Sequence, residues 1–596
     1  MSKRKIFDMR KEEHVAEVIH IIQSDCESES GNEEADVLSE NEEDNEIEAI
    51  EEAADEIENS DTDEEDVNVV SEDENYISKN GMSWSKNPPK ATRRTVHNIV
   101  GVPPGLTGAS NRIQTVNDAF KIFFDDTILK MIVDCTNKKA QTYYEDWNVR
   151  NPEKQKQWLP TDVDEMYSFL GVLITMGVLK AKRESTELLW STDPMYKRDI
   201  FLASMSRTRF QQLSTFIRFD DVNTRIERRQ HDKLAAIRDV FNMFVEHCKS
   251  SYNPNSHLTV DEQLVSFRGR CPFIVYMKSK PAKYGVKIWA LVDVESSYAI
   301  NLQVYTGKDG TTPEKNQGQR VVLDLTRCLH GGYGITTDNF FTSIPLANEL
   351  YKNNLTLCGT MRKNKQGIPK IMLPSPKRKE MSSVFAFHNE ITMVSYVPKK
   401  NRAVILLSNE HHDTKIEDAT NDYKPDIILH YNKTKGGVDT MDKMVNEYSV
   451  KRTTRRWPYV LFLNVVDIGC INAYILWKAK NPQLQSSSTH GRRNFLLQLG
   501  KELIIPQVKR RLQHPMGLHK PIVAAMRNLV PEPEPLGRED DDPPNTKLSK
   551  RSRCQLCPRK TDRKGSVSCE ICKKCVCRSH LHKITRILCL PCSEGV

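Results

Sequence analysis

The residues of this chain that could do chemistry fall into an acidic set and a sulfur-bearing set. Asp261 follows the β-branched, apolar run Leu258-Thr-Val260, which reads as a buried strand ending at the aspartate. Asp338 closes a second such run, Gly334-Ile-Thr-Thr337. Asp439 and Asp442 stand three apart, so a helix would carry both on one face. A carboxylate at the end of a central strand projects into the crevice where α/β folds hold ligands. Several carboxylates converging there tolerate one another by sharing hard divalent cations. Two such cations can clamp the attacking and leaving oxygens of a displacement at phosphorus. Arg268, Arg270, Lys278, Lys280, Lys283 and Lys287 crowd the first aspartate, and Lys451-Arg-Thr-Thr-Arg455-Arg456-Trp457 follows the third. Such cations beside an acidic site favour contact with a phosphate backbone. Asp293 also ends a strand pattern, but nothing around it points beyond a structural role.

The sulfur set lies at the carboxy end as four pairs, Cys554/Cys557, Cys569/Cys572, Cys577/His580 and Cys589/Cys592. Four pairs, each spaced by two residues, suit two tetrahedral zinc ions. In a cross-brace, Cys554, Cys557, Cys577 and His580 share one ion, and Cys569, Cys572, Cys589 and Cys592 the other. Cys575 and His582 are left over and could displace Cys577 or His580. RING ubiquitin ligases and PHD histone readers also use cross-braces, but a histidine in sixth place matches neither usual order. The dense basic run from Lys547 to Lys564 suits DNA and can double as a nuclear import signal.

These sites need several domains to carry them, and 596 residues exceed what one core holds. The formal net charge of +6 hides a sharp division. Residues 1–75 hold five Lys/Arg against 29 Asp/Glu, a net of −24, which leaves +30 on the other 521. The basic body calls for a polyanionic partner. Residues 1–78, almost without aromatics, cannot bury enough surface to order themselves, and the acidic amino-terminal region is taken to run over 1–111. Ser24, Ser39, Ser60 and Ser71 each have an acidic residue three positions on, as acid-directed kinases prefer. The tail either competes with DNA for the body or is a solvated spacer. Met1-Ser-Lys-Arg-Lys leads into charge, unlike a signal peptide. The apolar stretch Trp457–Trp477 is long enough to span a bilayer, but Asn464, Asp467 and Asn472 make it a buried core helix instead, so no membrane partner is expected. Seven scattered cysteines besides the clustered eight indicate metal ligation in a reducing compartment.

Helical periodicity marks 116–124, 128–133, 164–180 and 208–219, with a capped start at Thr161-Asp-Val-Asp-Glu165. The texture turns to strands at 257–267, 286–293 and 298–305, the last two forming a hairpin. An Asp-terminated strand from 334, a helix over 343–352 and a strand from 355 follow. This is the order of a ribonuclease-H-like sheet with two Asp-bearing strands side by side. The Pro- and Lys-rich residues 365–426 read as an inserted β module, and 531–552 as a linker.

Asp261-Glu-Gln-Leu, Phe267-Arg-Gly-Arg, Lys280-Pro-Ala-Lys-Tyr-Gly-Val-Lys287, Thr337-Asp-Asn-Phe-Phe-Thr-Ser-Ile-Pro345, Gly359-Thr-Met-Arg-Lys-Asn364, Tyr431-Asn-Lys-Thr-Lys-Gly-Gly-Val-Asp-Thr-Met-Asp442 and Arg455-Arg-Trp-Pro458 occur in this order. Together they resemble the piggyBac family of DNA transposases over roughly 95–596, and the carboxy-terminal ligand order resembles that family's terminal domain. The resemblance implies a multidomain α/β protein. A ribonuclease-H-like catalytic domain would cover 257–364 and 427–448, interrupted by an insertion domain at 365–426. Helices over 112–256 and 449–530 would form a dimerisation and DNA-binding domain, and 553–596 a zinc cross-brace. It implies Asp261, Asp338 and Asp439 as the catalytic triad, with Asp442 in support, around two Mg2+ (or Mn2+). The implied reaction is cut-and-paste transposition by a homodimer in the nucleus. Transposon ends with terminal inverted repeats are nicked and form hairpins, and the freed ends then join TTAA target DNA. Trp457 would either stack on a displaced base, alongside contacts from Arg268, Arg270, Lys283, Lys287, Arg455 and Arg456, or anchor the apolar helix behind it. The other reading is a domesticated, DNA-binding descendant that no longer cuts. A chromatin or ubiquitin adaptor acting through the cross-brace alone is a third.

Overall fold

The computed structural model describes residues 50–51, 75–89, 99–278, 280–308, 314–417, 422–483, 490–530, 547–561, 563–568 and 574–580. Most of the acidic tail, residues 531–546 of the expected 531–552 linker and the second cysteine set therefore lie outside the described residues, while 547–552 are not linker but part of a strand. Within 75–89 the expectation of disorder fails. Strands β1 (Asn75–Ile77) and β2 (Ser83–Ser85) form a hairpin, because Trp84 between the acidic tail and the body is fully buried.

The helical block contains α1 (Val116–Lys121), α2 (Asp126–Arg150), α3 (Val163–Val178), α4 (Arg207–Phe216) and α5 (Arg238–Ser251). Each start is chemically marked where the sequence allowed. Thr115 and Asp118 form a capping box on α1, and the Asp162 side chain accepts from the Glu165 amide on α3.

The sheet then begins with β3 (His257–Ser266), β4 (Ile274–Tyr276), β5 (Tyr284–Asp293) and β6 (Ala299–Val304). A helix absent from the sequence reading, α6 (Gln317–Thr326), follows. It leads to β7 (Gly334–Thr337), α7 (Ile344–Lys352) and β8 (Thr356–Thr360). Three further strands, β9 (Ser383–His388), β10 (Ile391–Lys399) and β11 (Arg402–Ser408), extend this same sheet. The strand order is β4-β5-β3-β7-β8-β11-β10-β9-β2-β1, with β6 paired to β5 and the two-residue strand Ile50–Glu51 paired parallel to β4 at the opposite edge. The trio β3, β7 and β8 is parallel, and β5 and β11 flank it antiparallel. The module read into 365–426 thus continues the core sheet from β8, and the amino-terminal hairpin caps its far edge through β9.

Helices α8 (Asp426–Thr434) and α9 (Gly437–Glu447) return to the sheet. Beyond them lie α10 (Trp457–Lys480), α11 (Gly491–Gln513) and α12 (Lys520–Leu529). Among the described residues α10 is the one helix long and apolar enough to cross a membrane, and 89% of its apolar window is buried within the protein. Its polar residues explain why it belongs there, since each has a partner. Asn464 Nδ2 donates to Gln263 Oε1 (2.9 Å), Asn472 bonds both the amide and carbonyl of Ala299, and Asp467 accepts from the Val450 amide and Ser449 hydroxyl. Helices α3 and α11 meet at Gly171 and Gly500, where a Cβ on Gly171 would lie 2.8 Å from the Gly500 carbonyl. The carboxy-terminal β12 (Lys547–Arg553), β13 (Lys564–Ser568) and β14 (Cys575–Val576) make a separate small antiparallel sheet.

Candidate active site

Register brings the first two aspartates together. In the parallel pair β3/β7, Val260 is opposite Thr337, so the next residues, Asp261 and Asp338, emerge level with each other. The expected strand end at Asp261 is corrected in form. Strand β3 runs on to Ser266 because β5 continues to pair with it, and only the pairing with the shorter β7 stops there. Asp338 opens a turn in which the Phe340 amide donates to its Oδ1 (2.9 Å) and the Thr342 hydroxyl to its carbonyl (2.7 Å). Ser343 then caps α7, with Pro345 in the first turn. A Cβ on Gly359 of β8 would fall 2.2 Å from Thr342 Oγ1, so this glycine admits the turn.

A third carboxylate, Glu262, joins them. One oxygen or more from each of Asp261, Glu262 and Asp338 lie within 4.8 Å of one another. Strand alternation hid Glu262 from the sequence reading, since neighbours on a strand ordinarily face opposite ways. Burial pushes the Asp261 carboxyl up to about 9, assisted by the Glu262 and Asp338 charges, and burial and Glu262 raise Asp338 as well. Crowded carboxylates of this kind are a donor set suited to hard divalent cations.

Helix α9 presents Asp439 and Asp442. The approach depends on Gly437, where a Cβ would meet Thr259 Oγ1 of β3 at 2.9 Å. Two threonine contacts hold the preceding turn on the sheet. Thr259 Oγ1 donates to the Thr434 carbonyl (2.6 Å), and Thr336 Oγ1 meets Thr434 Oγ1 (2.8 Å). Asp442 accepts from Gln263 Nε2 (2.8 Å), the same side chain that accepts from Asn464. Asp439 is exposed and stands outside the group of three close carboxylates. It shares Lys280 with them. Although burial opposes it, the Glu262, Asp261, Asp439 and Asp442 charges together hold the Lys280 ammonium above its ordinary range. Lys280 Nζ donates to the Glu262 carbonyl at 3.1 Å. Arg362 and Tyr431, both inside the quoted sequence words, also face this charge: Arg362 acts on Asp338, and Asp338 and Asp261 act on Tyr431. Asp293 is buried in a turn, accepting from Asn255 Nδ2 and Ser296 Oγ.

The expected DNA contacts divide. Arg268, Arg270, Lys283 and Arg455 are exposed. Gly269 packs against the Arg455 carbonyl, 2.9 Å from where its Cβ would be, which brings the Arg-Gly-Arg turn beside Arg455. Three others are corrected. Lys287 is 2% exposed, its ammonium enclosed by the Trp289, Tyr305 and Phe340 rings at 5.4, 4.9 and 5.5 Å. Arg456 donates to the Ser214, Thr215 and Ile217 carbonyls at the end of α4. Trp457 is buried edge-on to Phe273, 4.9 Å between ring centres. Of its two readings, the anchor for α10 is the one realised here.

At the carboxy end Cys554, Cys557, Cys577 and His580 converge with all four donor atoms within 4.8 Å. Cys557 and Cys577 Sγ are 3.7 Å apart, and His580 Nδ1 is 3.5 Å from each. A tetrahedral ion with bonds of about 2.3 Å holds its sulfurs roughly 3.8 Å apart, so the donors fit one. Cys575 is turned away, donating to the Ser552 and Gly565 carbonyls. The set Cys569, Cys572, Cys589 and Cys592, and His582, lie outside the described residues.

With this geometry in hand, known proteins place the chain. A solved structure titled as a cryo-EM structure of piggyBac transposase synaptic complex with hairpin DNA superposes with a TM-score of 0.67. It is 34% identical, and the match covers 82% of this chain and all of that one. The human PiggyBac transposable element-derived protein 3 is 23% identical over 385 residues, 61% of this chain and 62% of its own length. The human PiggyBac transposable element-derived protein 2 is 23% identical over 382 residues, 60% of each. The chain thus spans about three fifths of these human relatives. A family model described as Transposase IS4 matches residues 116–474. The chain belongs to that transposase family, in its piggyBac-type branch.

Proposed function

We propose that the chain is a cut-and-paste DNA transposase that cleaves transposon ends through hairpins and joins them to TTAA target DNA. The observation that carries this reading is the level emergence of Asp261 and Asp338 from adjacent parallel strands, with α9 held beside them by Thr259 and Gln263. The order β6-β5-β3-β7-β8 with β5 reversed supports reading the sheet as ribonuclease-H-like, an analogy of fold beside the site geometry that carries the function.

Asp261, Asp338 and Asp439 would hold two Mg2+ (or Mn2+), with Asp442 and Glu262 in support. Bound there, the divalent pair supplies Lewis acidity and offsets charge at a phosphodiester. Within the chain, Gln263 orients Asp442, the Thr434 contacts fix the approach of α9, and Lys280 balances the acidic crevice. Arg268, Arg270, Lys283 and Arg455 would receive the DNA backbone at its rim. Cys554, Cys557, Cys577 and His580 would hold one zinc and the remaining cysteine pairs a second, shaping a basic module for terminal repeats. Pairing as a homodimer and residence in the nucleus complete the reading.

An excision assay on a plasmid carrying cognate ends tests it. Wild type should release the element, and Asp338→Asn should lose about 10²–10³-fold of that activity, on the scale of removing a group that stabilises the transition state. Equal product from both would end the catalytic claim. A silent wild type that still binds the ends would favour the second reading, a domesticated DNA-binding descendant; the human relatives are by name transposable element-derived.

A further inference from the structure

At the end of the β3/β7 pair opposite the carboxylates, three side chains without a place in that reading converge. They are His257 at the start of β3, Glu410 just after β11, and His430 on α8, with ligand atoms all within 4.8 Å of one another. His257 Nε2 lies 2.9 Å from Glu410 Oε1, and His430 Nε2 lies 3.7 Å from Glu410 Oε2. Both of the latter atoms are buried without a hydrogen-bond partner. Leaving such a facing pair unsatisfied is costly, and a native fold ordinarily supplies an occupant.

The surroundings are built to match. His257 Nδ1 is 2.9 Å from Ser256 Oγ, which turns Nε2 toward the cluster, as metal-binding imidazoles are usually oriented. His411 Nδ1 is likewise 3.0 Å from Ser408 Oγ, and the His257 and His411 rings meet the His430 ring edge-on at 4.8 and 4.7 Å. Gly334 opens the space, since a Cβ there would lie 2.9 Å from His257 Cδ2 and 3.0 Å from Glu410 Oε2.

We propose that His257, Glu410 and His430 form a structural site for a zinc-class divalent ion, with the fourth position taken by water or His411. Two imidazoles and a carboxylate are donors such an ion favours. Bonds of 2.0–2.2 Å in a tetrahedron hold donors about 3.3–3.6 Å apart, between the 2.9 and 3.7 Å found here. The ion ties β3, the turn after β11 and α8 at a single point. From His430 the chain runs through Thr434 directly into α9. The clip therefore sets where the Asp439 helix begins, a consequence that rests on the nuclease reading although the site itself does not.

The test counts zinc per chain by mass spectrometry on the purified full chain, without DNA. His430→Gln and Glu410→Gln, with every cysteine intact, should each hold one equivalent less than wild type and melt at a lower temperature. Equal zinc in wild type and both variants overturns the proposal. If those variants do not fold, His430→Cys keeps a ligand in place. In the cobalt-loaded chain it should add a thiolate-to-cobalt absorption band to the wild-type spectrum, and an unchanged spectrum overturns the site. Because no strand cleavage is measured, a failure here is separate from a failure of the transposase reading.

Discussion

Single residues carry the sharpest consequences. The Asp261 carboxyl is raised from 3.8 to about 9, so the folded chain binds a proton that the unfolded chain releases. In metal-free protein, stability is therefore present at low pH and is lost as pH climbs from about 4 toward 9. Asp261→Asn should melt above wild type at pH 8 without metal. Adding Mg2+ to a hundredfold excess over its dissociation constant should stabilise wild type by about 2.7 kcal/mol and the variant far less, as read by thermal melting. The arginine pair gives a second expectation. Arg455→Ala should leave stability unchanged and reduce the salt slope of DNA binding by about 1. Arg456→Ala should cost about 1.5–3 kcal/mol by removing charged hydrogen bonds to three carbonyls and leave the slope alone. Sequence could not tell these neighbours apart, since both are cations in one run. Lys287 went astray, and Trp457 stayed open between two readings, for the same reason: composition reports charge and aromaticity, and burial depends on elements distant in the chain.

Elements were legible in proportion to how local their causes are. The strands bearing Asp261 and Asp338 showed in β-branched runs, and α7 in its Ser-x-Pro start. Helix α6 was missed although Val321, Val322 and Leu325 form its buried stripe, because the short stretch follows a polar, glycine-containing link. The length of β3 beyond Asp261 was unreadable, since only its partner β5 prolongs it. The least local feature is the polar relay Asn464–Gln263–Asp442, which joins α10, β3 and α9 through side chains about 180 and 200 residues apart. Gln263→Leu strands Asn464 in the core and frees Asp442, so it should cost about 1–3 kcal/mol and lower excision together. Adding Asn464→Leu should restore most of the stability, because both polar partners are then gone. Excision should stay low, since Asp442 still lacks its donor. Recovery of excision in the double variant would show that the relay supports the fold alone.

At the scale of the whole molecule, the acidic-to-basic division was plain from charge counts, whereas the seam between tail and body was not. That seam lies within 75–89, where Trp84 is fully buried, Ser85 pairs with Phe387, and His388 Nδ1 lies 2.8 Å from the Ser83 carbonyl. The hairpin covers the edge of β9, and an uncovered edge of this kind invites pairing with another chain. Deletion of residues 1–74, whose described part is only the edge strand Ile50–Glu51 on β4, should therefore lower the melting temperature far less than deletion of 1–89. Deletion of 1–89 should lower stability by about 3–5 kcal/mol, the usual cost of emptying a tryptophan site, and should promote aggregation. The shorter deletion bears chiefly on the electrostatic role of the tail, because it removes a net −24 and, of the described sheet, only the two-residue edge strand Ile50–Glu51 beside β4. If the tail competes with DNA for the basic body, affinity for terminal DNA should rise most at low salt, where Coulomb attraction reaches farthest, and the salt slope should steepen as more counterions are released on binding. An unchanged slope in the shorter deletion would leave the tail as a solvated spacer, with the functional boundary of the protein at Asn75.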